Sequence, residues 1–239
     1  MDIGLRADIH SHILPGVDDG ARDINSSLRI LTALRDSGVR RFVLTPHVSG
    51  GLYPNTQETL LSTFDRLQCA LPEELASDIS LYLASEYMID EFFEDIEAPF
   101  TYPDGKSVLV EMSYQSRSAS LLDTVFRLVQ AGYRPILAHP ERYEFYFSAS
   151  RVKALPELES LVGMGCRLQL NVQSLTGCYG RSSLANLKYL LDHDMYSFLA
   201  TDIHNSSQIQ HYSDFQVSAS QFEKVRQLAA ANETLFNIQ

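Results

Sequence analysis

Cysteine is scarce in this 239-residue sequence, which contains three cysteines: Cys69, Cys166 and Cys178. An odd and sparse set does not form a disulfide framework, and it is typical of a protein from a reducing compartment. None of the three is followed by arginine six residues later, since those positions hold Leu75, Val172 and Leu184. The phosphate-binding loop of cysteine-dependent phosphatases is therefore excluded.

Long apolar runs are also missing, and none of the short runs that are present could span a bilayer. The N-terminal stretch Met1–Arg6 has neither the basic region nor the apolar core of a secretory signal. We therefore expect a cytoplasmic protein that is not inserted in a membrane. Basic residues are in the minority, with 19 Lys and Arg against 30 Asp and Glu, and the net charge is −11. Because an acidic surface repels phosphate backbones, no nucleic-acid partner is expected.

Short apolar runs alternate with amphipathic stretches along the whole chain. The apolar runs lie near Leu5–Ile9 and at Arg41–Leu44, Ile79–Ala84, Val108–Val110, Ile136–Ala138, Leu168–Leu170 and Phe198–Ala200. Helical stripes are formed by Leu28, Leu31 and Leu34, by Leu122, Val125, Phe126 and Val129, and by Leu184, Leu187, Leu190 and Leu191. The alternation predicts an α/β fold with parallel strands in one domain, residues 1–239. Seven strand candidates favour a distorted, TIM-like (β/α)7 barrel, and a doubly wound open sheet is the alternative.

The segment Tyr87–Lys106 is rich in acidic and aromatic residues. We interpret it as an insertion after the third strand candidate, with a helix and a loop at the rim of the site. The simpler interpretation is a surface helix that buries a phenylalanine face.

Histidines and carboxylates gather where the strand candidates end. Five of the seven histidines and three acidic residues stand there: His10, His12, His47, Glu86, Glu111, His139, Asp202 and His204. Because the carboxyl ends of parallel strands face one rim, these side chains are expected to converge. Nitrogen and oxygen ligands without thiolate suit zinc, manganese or iron, and their number exceeds the needs of one ion. The sequence therefore predicts two or three divalent metal ions.

Two histidines are expected to lie outside this site. His193 stands at a predicted helix end, where a cation suits the helix dipole. His211 lies in a polar stretch.

Four longer motifs extend the pattern and span the chain from Asp8 to Asn205. They are DIHSHILPGVDDG at residues 8–20, TPH at 45–47, AHPERY at 138–143 and TDIHN at 201–205. Together they resemble the PHP (polymerase and histidinol phosphatase) superfamily. Within it they look most like the manganese-dependent bacterial protein-tyrosine phosphatases of capsular and exopolysaccharide gene clusters. That family often has Ser-Asp-Ala-His where this chain has Thr201–His204, and the two ligands are kept.

The resemblance implies a distorted β/α barrel with a trinuclear metal site. In this chain His10, His12, Glu111 and Asp202 would hold a first metal, with Glu111 bridging to a second. The other metals would be completed by His47, Glu86, His139 and His204. Asp19 matches a family acidic residue that is either a ligand or the proton donor. Arg142 matches the arginine that clamps the phosphate.

The resemblance therefore implies hydrolysis of phosphotyrosine by a hydroxide that two metals share. The expected metal is manganese, although iron and zinc accept the same ligands. The expected substrate is the tail of a bacterial tyrosine kinase of polysaccharide synthesis. Three alternatives stay open: a histidinol-phosphate or other small phosphomonoester phosphatase, a nuclease, and a metal-bearing scaffold without turnover. The acidic charge and the single-domain length speak against a nuclease.

Overall fold

Parallel strands and helices alternate in the order that the sequence pattern predicts. The computed structural model describes residues 3–90, 93, 98–114, 116, 118–147, 151–212 and 214–237. The strands are β1 (Ala7–Asp8), β2 (Arg41–Leu44), β3 (His47–Val48), β4 (Ser80–Leu83), β5 (Glu86–Met88), β6 (Ser107–Glu111), β7 (Arg134–Ala138), β8 (Arg167–Asn171) and β9 (Phe198–Ala200). The helices are α1 (Ile24–Asp36), α2 (Gln57–Cys69), α3 (Glu73–Asp78), α4 (Leu121–Gln130), α5 (Glu144–Phe147), α6 (Arg151–Gly163), α7 (Gly180–Asp192) and α8 (Ala219–Ala231). Short 3-10 turns include Pro140–Arg142, Val172–Thr176, Ser206–His211 and Asn232–Phe236.

The strands form two parallel ladders, one in the order β1-β2-β4 and the other in the order β3-β5-β6-β7-β8-β9. Strands β2 and β3 are two halves of one interrupted strand, and so are β4 and β5. The backbone N–H of Ala84 donates to Leu44 O at 2.9 Å, and that of Glu86 donates to Pro46 O at 3.1 Å. These bonds carry the pairing across both interruptions. The two ladders are therefore parts of one sheet with seven strand positions.

The first and last strand positions meet, which closes the sheet. Ser11 forms a parallel bridge with Ile203. The N–H of Asp202 donates to His10 O at 2.8 Å, and the N–H of His12 donates to Ile203 O at 2.9 Å. An open doubly wound sheet would keep two free edges at these strands. The prediction of a distorted (β/α)7 barrel is confirmed, with the seam formed by a few bonds beyond the ends of β1 and β9.

The barrel is filled by side chains rather than hollow. Its interior holds fully buried aliphatic residues from alternate positions of the strands, among them Ile9, Val43, Leu109, Ile136 and Ala200. A second and larger apolar cluster lies between the strands and the surrounding helices. Each buried valine, leucine or isoleucine side chain contributes about 1.5–3 kcal/mol when it is removed from water. Among the helices that the structure describes, none is long and apolar enough to cross a bilayer.

Helix α1 follows its predicted stripe. The carboxylate of Asp23 accepts from the N–H of Ser26 at 2.7 Å and caps the first turn. Leu31 and Leu34 are fully buried, and the chain leaves the helix at Gly38 with φ +110°. That backbone conformation favours glycine, so the predicted helix end is confirmed.

Helix α4 forms as predicted but turns a different face to the core. The structure buries Leu121, Val125 and Leu128, whereas Leu122 is 38% exposed and Phe126 is 52% exposed. The predicted stripe on Leu122 and Phe126 is therefore wrong. The sequence of this helix is apolar on two overlapping faces, and periodicity alone cannot decide which one packs on the strands.

The segment 87–106 runs from the site end of the barrel to the opposite end. Residues 91, 92 and 94–97 lie outside the described residues, and the remainder of the segment contains no α-helix. Tyr87 is buried and meets Phe93 edge-on, with ring centroids 5.8 Å apart. Tyr102 is buried inside the barrel, where its hydroxyl donates to Ile9 O at 2.6 Å. Because Tyr102 pairs with Ser107 at the start of β6, the second part of the segment lies away from the predicted rim.

Candidate metal centre

The predicted ligands lie together at one end of the barrel. His10 and His12 follow β1, His47 opens β3, Glu86 opens β5, Glu111 ends β6, His139 follows β7, and Asp202 and His204 follow β9. Most of these side chains are buried, and His47 and His204 are partly buried. Only the strand order brings together residues that are up to 194 positions apart in the sequence, from His10 to His204. The convergence that the strand-end pattern predicts is present in the structure.

The carboxylate of Glu86 lies at the centre of the cluster. Its Oε2 atom is 3.1 Å from His10 Nε2, 3.2 Å from His12 Nε2 and 3.1 Å from His47 Nδ1. The same oxygen is buried and has no hydrogen bond of acceptable geometry within the described part of the chain. An ionised oxygen that is buried without partners is costly. Three ring nitrogens around an oxygen of this kind are an arrangement that a cation between them would satisfy.

The outer nitrogens of two histidines fix which ring atoms face this centre. His10 Nδ1 lies 2.9 Å from Gln169 Oε1, and the amide of Gln169 donates elsewhere, to Leu170 O. His12 Nδ1 lies 2.8 Å from Asp18 Oδ2. Because both partners are acceptors, Nδ1 of each ring carries the proton and Nε2 offers its lone pair inward. The two Nε2 atoms are 3.2 Å apart, so their lone pairs face each other. A proton or a metal ion between them would remove the repulsion.

The charges of the cluster call for a cation. Burial alone would lower the pKa of His10, but the carboxylates of Glu86 and Asp202 raise it to about 9. Burial, together with the charge of Glu86, raises the pKa of Glu111 to about 7. Burial lowers the pKa of His139 to about 4, which keeps this ring neutral and able to donate a lone pair. Protons or metal ions must supply positive charge here, and a nitrogen and oxygen ligand set fits divalent metals.

The ligand atoms fall into three overlapping groups, within each of which all atoms lie within 4.8 Å of one another. The groups are His10, His12, Glu86 and Asp202; His12, Asp19, His47 and His204; and His47, Glu86 and Glu111. His139 joins through Nε2, which is 3.1 Å from Glu86 Oε1. This grouping differs from the one that the resemblance implies. Glu86, rather than Glu111, shares a group with His10, His12 and Asp202, while Glu111 lies 2.9 Å from His47.

Two of these residues have an uncommon backbone conformation. His139 has φ 35° and Asp202 has φ 51°, both in the left-handed region that glycine favours. Such positions cost about 1–3 kcal/mol each and tend to occur at functional sites. Asp194 also has a positive φ, but it follows His193, the C-cap of α7, where a left-handed residue is ordinary. The strain at His139 and Asp202 therefore supports a functional role for both.

Arg142 is held beside the cluster by charge and by two aromatic rings. Its Nη1 donates to Asp202 Oδ2 at 2.8 Å, and the amide of Asn171 donates to the same oxygen at 2.7 Å. The other oxygen of Asp202 faces the histidines. The guanidinium lies between the rings of Tyr114 and Tyr179, at 4.4 and 4.0 Å from their centroids. Arg142 is thus pre-positioned at the edge of the site with its fork of donors oriented.

Asp19 lies on the loop after β1 and is the most exposed of the predicted ligands. Its Oδ1 atom is 3.5 Å from His47 Nε2 and 3.5 Å from His204 Nε2. The hydrogen bond with His204 is the main reason that the pKa of Asp19 falls to about 2. A carboxyl group with this pKa is ionised at neutral pH and has no proton to give. Of the two roles left open by the sequence, the geometry favours the ligand.

Asp18 organises the loop that carries Asp19, and the sequence analysis did not single it out. Besides His12, it accepts from the N–H of His47 at 3.1 Å and from the N–H of Gly20 at 3.0 Å. A side chain at Gly20 would meet His12 O at 2.1 Å, which explains the glycine of the Asp-Asp-Gly motif. One carboxylate therefore orients two candidate ligands.

Two other partners were missed for different reasons. Asn171 ends β8, so the strand-end pattern could have identified it had amides been considered with histidines and acids. Gln169 points inward two residues earlier, and no local sequence signal marks it. Contacts of this kind depend on the packing of neighbouring strands, which a single sequence does not specify.

Glu141, in the His-Pro-Glu-Arg motif, is buried and serves the scaffold. Its carboxylate accepts from the N–H of Asn171 at 3.1 Å, from the Ser174 hydroxyl at 2.7 Å and from the Tyr196 hydroxyl at 2.9 Å. These bonds fasten the turn that carries Arg142 to the end of β8. The role of Glu141 is therefore to position Arg142, without facing the cleft.

A cleft of about 330 Å³ opens over the cluster. It is lined by Asp19, His47, Ser49, Leu52, Tyr53, Glu86, Met88, Glu111, Ser113, Tyr114, His139, Arg142, Asp202 and His204. His193 lies elsewhere, at the end of α7, and its Nδ1 is 2.8 Å from Tyr189 O, so its predicted place outside the site is confirmed. The side chain of His211 lies outside the described residues. Most of the candidate ligands thus border a space that can admit a small substrate.

Comparison with known proteins gives related chains that cover most of this one. YwqE of Bacillus subtilis, a tyrosine-protein phosphatase, is 30% identical over 205 residues, which are 83% of this chain and 77% of YwqE. CpsB of Streptococcus pneumoniae, also a tyrosine-protein phosphatase, is 28% identical over 207 residues, with 83% and 82% of the two chains covered.

The fold is also similar to that of related proteins of known structure. A solved structure from work on YwqE and CpsB, described there as unique metal-dependent tyrosine phosphatases, superposes with a TM-score of 0.79. It is 26% identical and covers 98% of this chain and 96% of its own. A histidinol phosphate phosphatase of Lactococcus lactis, 16% identical with a TM-score of 0.55, shares the fold over 94% of this chain and 93% of its own. The family model for capsular polysaccharide synthesis proteins, CpsB/CapC, matches residues 6–232, and the chain belongs to this family.

Proposed function

We propose that this chain is a metal-dependent protein-tyrosine phosphatase. The observation that carries the proposal is the carboxylate of Glu86 among three imidazole nitrogens at 3.1–3.2 Å, beside a guanidinium that borders the same cleft. The tyrosine phosphatase activity of the relatives YwqE and CpsB supports the same reaction here. A site of this kind recognises phosphate through charge, and the rim of the cleft selects the rest of the substrate.

We assign nine residues as metal ligands: His10, His12, Asp19, His47, Glu86, Glu111, His139, Asp202 and His204. Eight of them form the three overlapping groups, which suit two or three divalent ions, and His139 joins through Glu86. The ligand set contains nitrogen and oxygen atoms without sulfur, so we propose manganese, with iron or zinc as substitutes. Bound ions would activate a water molecule at neutral pH and neutralise phosphate charge.

The residues of the chain itself bind and orient the phosphate. Arg142 presents parallel N–H donors to the phosphoryl oxygens, and its bond to Asp202 together with its two tyrosine neighbours keeps it from turning away. Asp19 is held ionised and serves as a ligand instead of a proton donor. The leaving group of phosphotyrosine is a phenoxide with a pKa of about 10, so it depends less on protonation than an alkoxide does.

The physiological substrate that we propose is a phosphotyrosine in the tail of a bacterial tyrosine kinase of capsule synthesis. The family supports a role in polysaccharide synthesis. Phosphotyrosine in an extended tail could reach the cleft without a deep binding pocket. The three free cysteines support a cytoplasmic location for the reaction, because unpaired thiols are kept in reducing compartments.

The test is phosphate release from a phosphotyrosine peptide, a phosphoserine peptide and histidinol phosphate, after loading with Mn²⁺. We expect release from phosphotyrosine, loss of activity with a chelator and recovery with added Mn²⁺. His10→Ala should lower kcat/KM by more than about 100-fold, since loss of an outer-shell partner alone can cost that much. His193→Ala is the matched control, because that ring is exposed at a helix end.

Two results would contradict the proposal. A preference for histidinol phosphate would keep the metal centre but assign the chain to small-molecule phosphate hydrolysis. Absence of turnover with Mn²⁺, Fe²⁺ and Zn²⁺ on all three substrates would favour a metal-bearing scaffold that binds phosphotyrosine without hydrolysing it.

A further inference from the structure

The loop between β3 and α2 carries two apolar side chains into the cleft. Ser49 and Tyr53 form an antiparallel bridge that makes this loop a tight turn. The hydroxyl of Ser49 accepts from the N–H groups of Leu52 and Tyr53 at 3.4 and 3.2 Å. The amide of Asn55 donates to His47 O at 2.8 Å, which ties the end of the loop to the metal centre. The backbone at Leu52 and Tyr53 is therefore held in place beside His47.

Leu52 and Tyr53 are neighbours in the chain and both line the cleft, and we call the pair the Leu52–Tyr53 wall. The ring of Tyr53 stacks on the imidazole of His47, with centroids 5.2 Å apart and planes 12° apart. Leu52 is 77% exposed, more than any other large apolar residue in the described part of the chain. A single exposed leucine is ordinary on a protein surface. This one borders the cleft together with an aromatic ring that touches a candidate ligand.

The Leu52–Tyr53 wall and Arg142 lie at opposite ends of a row of histidines in the cluster. Successive ring contacts run from His139 to His10 at 5.7 Å, from His10 to His12 at 5.3 Å and from His12 to His47 at 4.4 Å. Arg142 lies at the His139 end of this row, where Tyr114 contacts both residues. The Leu52–Tyr53 wall lies at the His47 end. A ligand that crosses the cleft would meet charge first and then an apolar, aromatic surface.

We propose that the Leu52–Tyr53 wall receives the phenyl ring of phosphotyrosine and makes the site prefer aryl phosphates to alkyl phosphates. The inference rests on the proposed function and deepens it. Aromatic rings pack on each other in offset or edge-on geometry, and a flat ring beside an aliphatic side chain excludes water from both. The side chain of phosphoserine is too short to carry an apolar group to this wall.

Calorimetric titration with two stable phosphonates tests the proposal independently of turnover. Phenylphosphonate can reach the wall and methylphosphonate cannot, while both present the same charged group. In the Mn²⁺-loaded protein, Tyr53→Ala and Leu52→Ala should each weaken phenylphosphonate binding by about 3- to 30-fold and leave methylphosphonate binding within about twofold. Tyr53→Phe keeps the ring and should bind both ligands like the parent protein. The Kd of each variant for Mn²⁺ is measured alongside, because Tyr53 touches His47.

The outcomes separate this inference from the proposed function. If Tyr53→Ala weakens the binding of both phosphonates equally, or weakens the binding of Mn²⁺, then Tyr53 only supports His47 and the proposal is overturned. Unchanged phenylphosphonate binding in both alanine variants also overturns it. If the variants behave as expected but the parent protein releases no phosphate from phosphotyrosine, the wall stands and the proposed hydrolysis fails.

Discussion

At the scale of single residues, the proposed ligands depend on partners that would not themselves face a metal. Asp18 is the clearest case, because its buried carboxylate fixes the ring of His12 and the backbone of His47 at once. A carboxylate in this position holds Nδ1 of the imidazole protonated and strengthens Nε2 as a ligand. The pKa of Asp18 is lowered: burial opposes ionisation, and His12 outweighs it. Asp18 therefore remains an acceptor at neutral pH.

Asp18→Asn should weaken metal binding by about 10- to 100-fold, because the amide presents fewer acceptor sites and releases the ring of His12. The Kd for Mn²⁺, measured by competition with a chelating dye, reports the change directly. Asp36→Asn is the control, since the side chain of Asp36 is 63% exposed and pairs only with Arg35 among the ion pairs of the described residues. An unchanged Kd in Asp18→Asn would show that His12 does not need this partner.

Cys166 gives a pH prediction that is separate from the metal centre. Burial raises the pKa of its thiol to about 12, whereas Cys69 and Cys178 are exposed. The thiol form contributes stability below pH about 8.5, the pKa of an unfolded cysteine, and this contribution is lost as the pH rises toward 12. At pH 8.5 we expect two thiols of the folded protein to react rapidly with Ellman's reagent and the third to react only on unfolding. Cys166→Ser identifies the slow thiol. Three equally fast thiols in the folded protein would contradict the burial of Cys166.

The residues that the sequence could predict are those that a strand places at its own end. His10, His12 and Asp202 were identifiable because the direction of parallel strands alone brings them to one rim. Tyr53, Tyr179 and Gln169 were not, since each reaches the site through the path of a loop or the packing of a neighbouring strand. The division of the candidate ligands into groups also depends on side-chain rotamers, which the sequence does not specify. In this structure Glu86 lies with His10, His12 and Asp202.

At the scale of elements, the seam between β1 and β9 is held by few backbone bonds. Both strands are short, and part of the bonding between them comes from a side chain. The amide of Asn232 donates to Ala7 O at 2.7 Å and to Leu199 O at 2.6 Å, while its oxygen accepts from the N–H of Leu199 at 3.3 Å. Asn232 is fully buried and lies just after α8. It therefore replaces the ladder bonds that two longer strands would have made.

Asn232→Ala should destabilise the protein by about 2–4 kcal/mol, because it leaves buried backbone groups of both strands without partners. Urea unfolding gives the change in free energy. Asn237→Ala provides a matched asparagine substitution at an exposed position. If Asn232→Ala stayed within about 0.5 kcal/mol of the parent protein, the strands would be holding the seam without this side chain.

The sequence predicted the elements better than it predicted their faces. All seven strand candidates are found, because β-branched and aliphatic runs bounded by polar residues leave few other choices. Helix α4 was also predicted correctly, but the face predicted to be buried is shifted by one residue from the face that packs on the core. Two strand positions are each interrupted, at Thr45–Pro46 and at Ala84–Ser85, and we find no signal for these interruptions in the composition.

At the scale of the whole molecule, a small part of the acidic charge is buried where a metal would neutralise it. The chain carries a net charge of −11, and Glu86, Glu111 and Asp202 are all buried at one end of the barrel. Seven strands converge on that end, so repulsion among these carboxylates acts on the whole barrel. Metal binding should accordingly stabilise the fold as well as supply the chemistry.

Removal of metal should therefore lower the thermal stability of the whole domain. At a free Mn²⁺ concentration of 100 times Kd, each site contributes about 2.7 kcal/mol. In a chain of this length 1 kcal/mol shifts Tm by about 2–4 °C, so chelation should lower Tm by at least about 5 °C. Differential scanning calorimetry with and without chelator measures the shift, which should return as Mn²⁺ is added in excess of the chelator. Asp202→Asn should show a much smaller shift, because it removes a charged ligand whose Oδ1 lies 3.4, 3.3 and 3.7 Å from His10, His12 and His204. His193→Ala should match the parent protein. Equal Tm values for loaded and chelated protein would mean that the carboxylates are already compensated by protons, and the cluster would then not need metal to hold the barrel together.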